Sequence, residues 1–216
     1  MKAFQIRIEF RDSEPVVWRR VLLSARASFS ELHAVIQTIF NFKDKHLYIF
    51  RLSDHRLKVT NDPEAHEVYQ EYLENQEAIE KTLLALNTPF ATKQLENFRT
   101  MVGEPDAFKI APYLQEGSIV DYLYDFVDNW EIILTVERVV EDYILDYPSL
   151  LAGEQGAPLE DMGGLAGFEE FLTAYNNPQH PDHDRARKWG NQQGFTEYDG
   201  ESIQVRLRSL EKSARD

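Results

Sequence analysis

Leu32, Val35, Ile36, Ile39 and Phe40 recur at i, i+3, i+4, i+7 and i+8, a spacing that puts them on one stripe of an α-helix and on no single face of a strand. Ser28-Phe29-Ser30-Glu31 stands directly in front of them and suits a capping box, in which the Ser28 hydroxyl accepts the Glu31 backbone N–H while the Glu31 carboxylate reaches back. A helix that starts at a fixed residue and carries one apolar stripe has to be laid against an apolar surface.

The preceding residues supply that surface. Phe4, Ile6, Ile8 and Phe10 alternate with Gln5, Arg7 and Glu9, the period of a strand with one face on a core. Asp12-Ser13-Glu14-Pro15 gives turn chemistry before Val16 to Leu23, so the first two strands are expected to form an antiparallel hairpin, with Trp18 as a core anchor. Leu47 to Leu52 reads as a third strand and Leu57-Lys58-Val59 as a weaker continuation. Between about residues 61 and 105, Tyr69, Leu73, Ile79, Leu83 and Leu86 sit near helical spacing. Leu95, Phe98 and Val102 suggest a shorter helix beyond Asn87-Thr88-Pro89. This stretch is expected to be an inserted helical hairpin.

Ile119 to Phe126 and Trp130 to Val140 flank Val127-Asp128-Asn129, which predicts two long strands joined by a tight turn. Residues 141–164 hold Pro148, Gly153, Gly156, Pro158, Gly163 and Gly164, too many breakers for regular structure, and read as a functional or Ω-type loop. A helix is expected after Gly167, ending near Asn177-Pro178. Another should start at His180-Pro181-Asp182-His183 and stop at Trp189-Gly190. Ile203, Val205 and Leu207 read as a last edge strand, and the polar tail after Leu210 as frayed. The expected architecture is one α+β domain over residues 1–216, a two-layer arrangement of an antiparallel or mixed sheet packed against helices.

Composition bounds the chemistry. A hydrophobic fraction of 43% with 13 Phe, 10 Tyr and 3 Trp provides a core, whereas 23 Lys and Arg against 37 Asp and Glu give a net charge of -14, which repels phosphate backbones, so no nucleic-acid partner is expected. Without cysteine there are no disulfides, thiolate nucleophiles or thiolate-ligated metals. No export signal and no apolar run near ~18 residues is visible, so no membrane association and a cytoplasmic location are expected. Gly163-Gly164-Leu165-Ala166-Gly167 lacks the preceding strand of a dinucleotide fingerprint, and no P-loop or nucleophile elbow occurs, so no nucleotide cofactor is expected.

The remaining chemistry lies in six residues. Asp125 and Asp128 flank the hairpin turn, Glu160 and Asp161 lie in the long loop, and His180 and His183 are three apart on a possible helix face. Convergence of these groups suits a divalent metal, with Asp125, Asp128, His180 and His183 as its ligands. The same residues also suit structural roles: Asp125 bonding its own turn, Glu160-Asp161 capping the loop, His180 acting like an N-cap. His33 and His46, beside apolar stripes, read as hydrogen-bonded structural histidines. One of Arg19 and Arg20 is expected to pair with an acid such as Asp125 or Asp128.

Several segments resemble one family: Pro15-Val16-Val17-Trp18-Arg19-Arg20-Val21, Glu31-Leu32-His33 with Ile36-Gln37, and His46-Leu47-Tyr48-Ile49-Phe50. Tyr124-Asp125-Phe126-Val127-Asp128-Asn129-Trp130-Glu131, Glu160-Asp161-Met162-Gly163-Gly164 with Gly167-Phe168, and Asn177-Pro178-Gln179-His180-Pro181-Asp182-His183 continue the series. The chain thereby resembles the plasmid pRiA ORF-three-like proteins, the insertion-element passenger protein family. The resemblance implies an α+β fold and brings no established activity. Three departures stand out: Val127 where that family usually has Gly, Tyr48 where a second histidine often follows His46, and Leu150, Ala157 and Pro158-Leu159 where it usually has two cysteines and a Pro-Pro pair. With no complete catalytic constellation, the expectation is a non-enzymatic binding or interaction module for a protein or small cationic ligand. The alternative is a metal-dependent hydrolase using the six acid and histidine residues.

Overall fold

Alternation at the start of the chain becomes β1 (Ala3–Phe10), paired antiparallel with β2 (Trp18–Ser24) so that Phe4 faces Leu23 and Ile6 faces Val21. The computed structural model describes residues 1–213; of the tail expected to fray after Leu210, residues 211–213 continue a helix and the last three lie outside the described residues. α1 (Phe29–Phe40) follows with both halves of its capping box formed, and Asn41 ends it in the left-handed conformation. Such a cap stabilises a helix by about 1 kcal/mol. All five residues of the stripe are buried.

β3 (Tyr48–Leu52) and β4 (Leu57–Thr60) pair antiparallel, and β5 (Met101–Gly103) adds to β4 in parallel. β6 (Ile119–Tyr124), β7 (Trp130–Val140) and β8 (Ser149–Glu154) complete a mixed sheet of order β5-β4-β3-β6-β7-β1-β2-β8. One face is apolar and packs on α1: Phe4, Ile6, Ile8, Phe50, Tyr122, Trp130, Ile132 and Leu134 lie in one core with the helix stripe. The other face is polar, with Arg20 held by both Glu137 oxygens and Arg7 paired with Glu9. This is the expected two-layer α+β architecture.

β2 inverts two expectations. Its buried and half-buried positions alternate such that Arg19, not Trp18, points to the core side. Trp18 lies on the polar face beneath the Arg7 and Arg20 guanidinium groups, 4.2 and 5.2 Å from its ring. Arg20 pairs with Glu137 rather than with Asp125 or Asp128, because those turn acids lie beyond the far end of β7.

Long-range pairing also rewrites the C-terminal half. The breaker-rich loop contains β8, which docks on the edge of β2 with a register shift between Arg20 and Val21. Ile203, Val205 and Leu207 belong to α7 (Gly200–Ser213), not to a strand: Ile203 and Leu207, one turn apart, are buried, and Val205 is exposed. The Gln204 side chain accepts the Leu150 N–H at 2.8 Å, so the helix covers part of the outer edge of the sheet. α5 (Gly164–Asn176) and α6 (His183–Gln193) pack together. Gly190 sits inside α6 rather than ending it, since a side chain there would meet Phe171 and Tyr175; Gly194 supplies the left-handed stop.

The insertion has three helices, α2 (Pro63–Glu74), α3 (Gln76–Leu86) and α4 (Pro89–Phe98), because the chain breaks at Asn75. Tyr72 stacks on Phe98 and donates to Glu80, which Arg99 also grips. Val102, read as helical, lies in β5. No helix among the described residues is long and apolar enough to cross a membrane.

His33 is the structural histidine expected from its position. Its ring stacks on Tyr48 at 3.6 Å, with Nδ1 2.8 Å from the Tyr122 hydroxyl and Nε2 2.8 Å from Asp44 Oδ1. Burial lowers its pKa, and Asp44 opposes that only in part. The unfolded chain therefore takes up a proton that the folded chain resists, so His33 contributes stability above about pH 6.5 that is lost as pH falls through that value towards the folded pKa. Thermal midpoints measured downward from about pH 7.5 should fall, and His33→Gln should flatten that decline. Equal slopes would assign the effect elsewhere.

Candidate metal centre

The turn between β6 and β7 is built by its own polar residues. Asp125 takes a left-handed φ of 57° and Asn129 one of 56°. Asp125 Oδ1 accepts the Val127 N–H at 3.0 Å and the Asp128 N–H at 3.3 Å, and the Asp125 carbonyl accepts the Asn129 N–H at 2.7 Å. These bonds fix one oxygen of a side chain that is itself buried and leave Oδ2 facing inward.

Two other segments converge on this turn. Asp128 Oδ2 accepts the backbone N–H groups of Met162 and Gly163 at 3.1 and 3.3 Å, which clips the acidic loop to it. Gly164 lets the chain pass so closely that a Cβ there would lie 2.3 Å from the Asp128 carbonyl oxygen. The segment after α1 is held by Glu160, whose Oε1 accepts the Lys43 N–H at 2.8 Å and the Tyr124 hydroxyl at 2.6 Å. Burial first, and then the bond to Glu160, hold the Tyr124 hydroxyl well above the ordinary phenol range.

His46 closes the arrangement. Its Nε2 lies 3.6 Å from Asp125 Oδ2 and 3.5 Å from Asp161 Oδ1, and the ring meets Tyr124 edge to face. Those separations are too long for good hydrogen bonds, and this nitrogen is sealed from solvent without a hydrogen-bond partner. Among the described residues, His46, Asp125 and Asp161 form a group of potential ligands whose three atoms all lie within 4.8 Å of one another. Ligands about 2.1 Å from a tetrahedral ion stand about 3.4 Å apart, so the spacing fits a Zn²⁺-sized cation and its mixed nitrogen and oxygen set. Three protein ligands, with Asp161 largely exposed, would leave coordination positions open towards solvent.

One comparison places nearly the whole chain in a family. A family model described as plasmid pRiA4b ORF-3-like protein matches residues 2–206. The chain belongs to the plasmid pRiA4b ORF-3-like family. An uncharacterized protein, y4hQ of Sinorhizobium fredii, is 26% identical over 212 residues, covering 98% of this chain and 90% of that protein. The crystal structure of a protein of unknown function, MM3350 of Methanosarcina mazei Go1, superposes with a TM-score of 0.69 at 21% identity, over 93% of this chain and 96% of that one. That likeness concerns the fold.

In this plasmid pRiA4b ORF-3-like chain, four of the six residues singled out from the sequence meet at the turn. Asp125 and Asp161 face His46, Asp128 binds the loop backbone, and Glu160 binds Tyr124 and Lys43. His180 and His183 stand apart, at the entry to α6. They do not share a helix face, because the helix begins only at His183: His180 Nδ1 accepts the Asp182 N–H, and His183 Nδ1 bonds the Ala174 carbonyl. Val127, in place of the family's usual Gly, is tolerated because the left-handed positions of the turn fall on Asp125 and Asn129 instead. In Gly163-Gly164-Leu165-Ala166-Gly167, Gly163 supplies a left-handed φ of 87° with open space around it, while Gly164 and Gly167 serve close approach: at Gly167 a Cβ would overlap the Met162 carbonyl oxygen.

Proposed function

We propose that this protein is a binding module whose ligand site is a divalent-cation centre formed by His46, Asp125 and Asp161. The observation that supports it is the buried His46 Nε2 without a hydrogen bond, set between two carboxylates at the separation that a shared cation would impose. The open side of the centre would admit water, or a carboxylate or other oxygen donor from a protein or small ligand.

Protein purified without an affinity tag is expected to carry a near-stoichiometric divalent ion by elemental analysis. After chelation, Zn²⁺ or Mn²⁺ at one hundred times Kd should restore about 2.7 kcal/mol of stability. His46→Gln and Asp125→Asn should remove both the ion and the thermal shift. Metal-free protein with no response to Zn²⁺, Mn²⁺, Mg²⁺ or Ca²⁺ would refute the centre.

Glu160 favours a second reading, a metal-dependent hydrolase. Its Oε2 is buried with no hydrogen-bond partner, and Tyr124, which donates to its other oxygen, packs on the His46 ring. A carboxylate so placed is a candidate base for a cation-bound water. Under this reading Glu160→Gln retains the ion but loses turnover of simple phosphodiesters or esters; a wild-type protein that binds metal and turns over neither leaves the binding module standing alone.

A further inference from the structure

Arg19 and Arg206 meet at a cavity away from the acidic turn, bounded by α1, α7, the segment between β8 and α5 and the segment after α6. It measures about 150 Å³ and is lined by Arg19, Phe40, Ala157, Phe195, Tyr198 and Arg206, among others. That is well below the roughly 300–1,000 Å³ of sites for drug-sized molecules and far above the space of one water.

The two arginines at this cavity have no close ion pair among the described residues. Arg19 is 2% exposed. Its Nη1 donates to the Trp18 and Glu154 carbonyls at 2.7 and 2.6 Å, its Nη2 donates to the Gln155 carbonyl at 2.9 Å, and the group lies over the Tyr198 ring at 4.7 Å. Arg206 donates from Nη1 to the Ser202 hydroxyl at 2.9 Å. The Nε–H of each arginine is buried without an acceptor. Neither side chain forms an ion pair among the described residues. Of the two carboxylates on the cavity wall, Asp199 is engaged by the Ser202 N–H at 3.0 Å and Glu197 is exposed at the rim. Burial draws the Arg19 pKa down to about 10; Tyr198 opposes that in part, and the neighbouring Arg206 charge adds to it.

We infer that this cavity is a binding site for a compact oxyanion, a phosphate or a small carboxylate, received between the two guanidinium groups. Oxygen acceptors would satisfy both orphan Nε–H donors and pair with charge that meets no carboxylate at close range, whereas water would supply only the first. The aromatic wall of Phe40, Phe195 and Tyr198 excludes bulk water and so strengthens the contacts that remain. The net charge of -14 slows the approach of any anion, so equilibrium binding rather than rapid capture is the property to measure.

The test uses inorganic phosphate and acetate as probes, titrated at constant ionic strength against the full-length protein by calorimetry and thermal shift. Saturable binding of at least one is expected, and the preferred probe separates the two anion classes. Arg206→Gln keeps the helix and removes one charge, and should weaken binding about tenfold to a hundredfold. Ala157→Leu fills the cavity while leaving both arginines in the sequence and should abolish binding while the protein stays folded by circular dichroism. Absence of saturable binding of both probes, or unchanged affinity in both folded variants, would overturn the assignment.

Discussion

Gly164→Ala should destabilise the protein by about 2–5 kcal/mol and loosen the proposed cation centre. Gly164 has a φ of +67°, where an alanine costs about 1–2 kcal/mol, and its new Cβ would stand 2.3 Å from the Asp128 carbonyl oxygen, an overlap that backbone shifts relieve at about 1–3 kcal/mol. For a chain of this length the midpoint of thermal unfolding should fall by roughly 4–20 °C. The displacement falls on the loop that Asp128 clips through Met162 and Gly163, and Asp161 is the next residue back along it. Cation affinity should therefore drop at least about tenfold, a loss of about 1.4 kcal/mol. Gly117 offers the control: its φ is +85°, but nothing lies within 4 Å of a Cβ there, so Gly117→Ala carries the conformational cost alone. Calorimetric melting and metal titration of the two variants decide the matter. If Gly164→Ala behaves like Gly117→Ala in both, the close pass over Asp128 is not what places Asp161.

The elements legible in the sequence are those whose signal is local. The Ser28 box and the α1 stripe stand as read, as do the β1–β2 hairpin and the β6–β7 hairpin with its tight turn. The docking of the acid-rich loop on that turn also follows from residues that can be named in advance, since Asp128 and the glycines at 163, 164 and 167 are needed for it. Elements that depend on distant partners were not legible. β8 lies among breakers and exists because the β2 edge is there to pair with, about 130 residues away in the chain. Ile203, Val205 and Leu207 fit a period of two as well as Ile203 and Leu207 fit one helical turn, and only the packing of α7 on the β8 side of the molecule chooses between them. At the site, the acids were readable as turn and loop residues, but His46 was not. Beside Leu47 and Tyr48 it has the neighbours of a core histidine, and its exceptional feature, a sealed nitrogen facing two carboxylates from residues 125 and 161, belongs to the fold alone. The pair His180 and His183 misled for the converse reason: regular spacing suggested a shared face that the late start of α6 removes.

Arg19→Met should be the most damaging single change outside the hydrophobic positions, lowering stability by more than about 3 kcal/mol. Methionine matches the length of the arginine stem and packs well beside Phe40 and Tyr198, so the lost volume is small. What disappears is the donor set for three part-buried carbonyls, those of Trp18, Glu154 and Gln155, each costing up to about 1–3 kcal/mol where water cannot replace the lost bond. Buried charges can often be replaced by apolar groups at no cost, but only when their partners are replaced as well; here the acceptors are backbone and remain. Two of the three sit where β8 ends, beside Gly153, whose missing side chain makes room for the Arg19 stem. The damage should therefore be local as well as global, with β8 amides exchanging faster than those of β1 and β7 in native-state hydrogen exchange. Arg19→Lys should recover less than half of the loss in urea titrations, because one ammonium cannot reproduce a planar fork that serves three acceptors. A methionine variant within about 1 kcal/mol of the parent, or a lysine variant equal to it, would mean that β8 is held by its ladder with β2 and not by the guanidinium that crosses it.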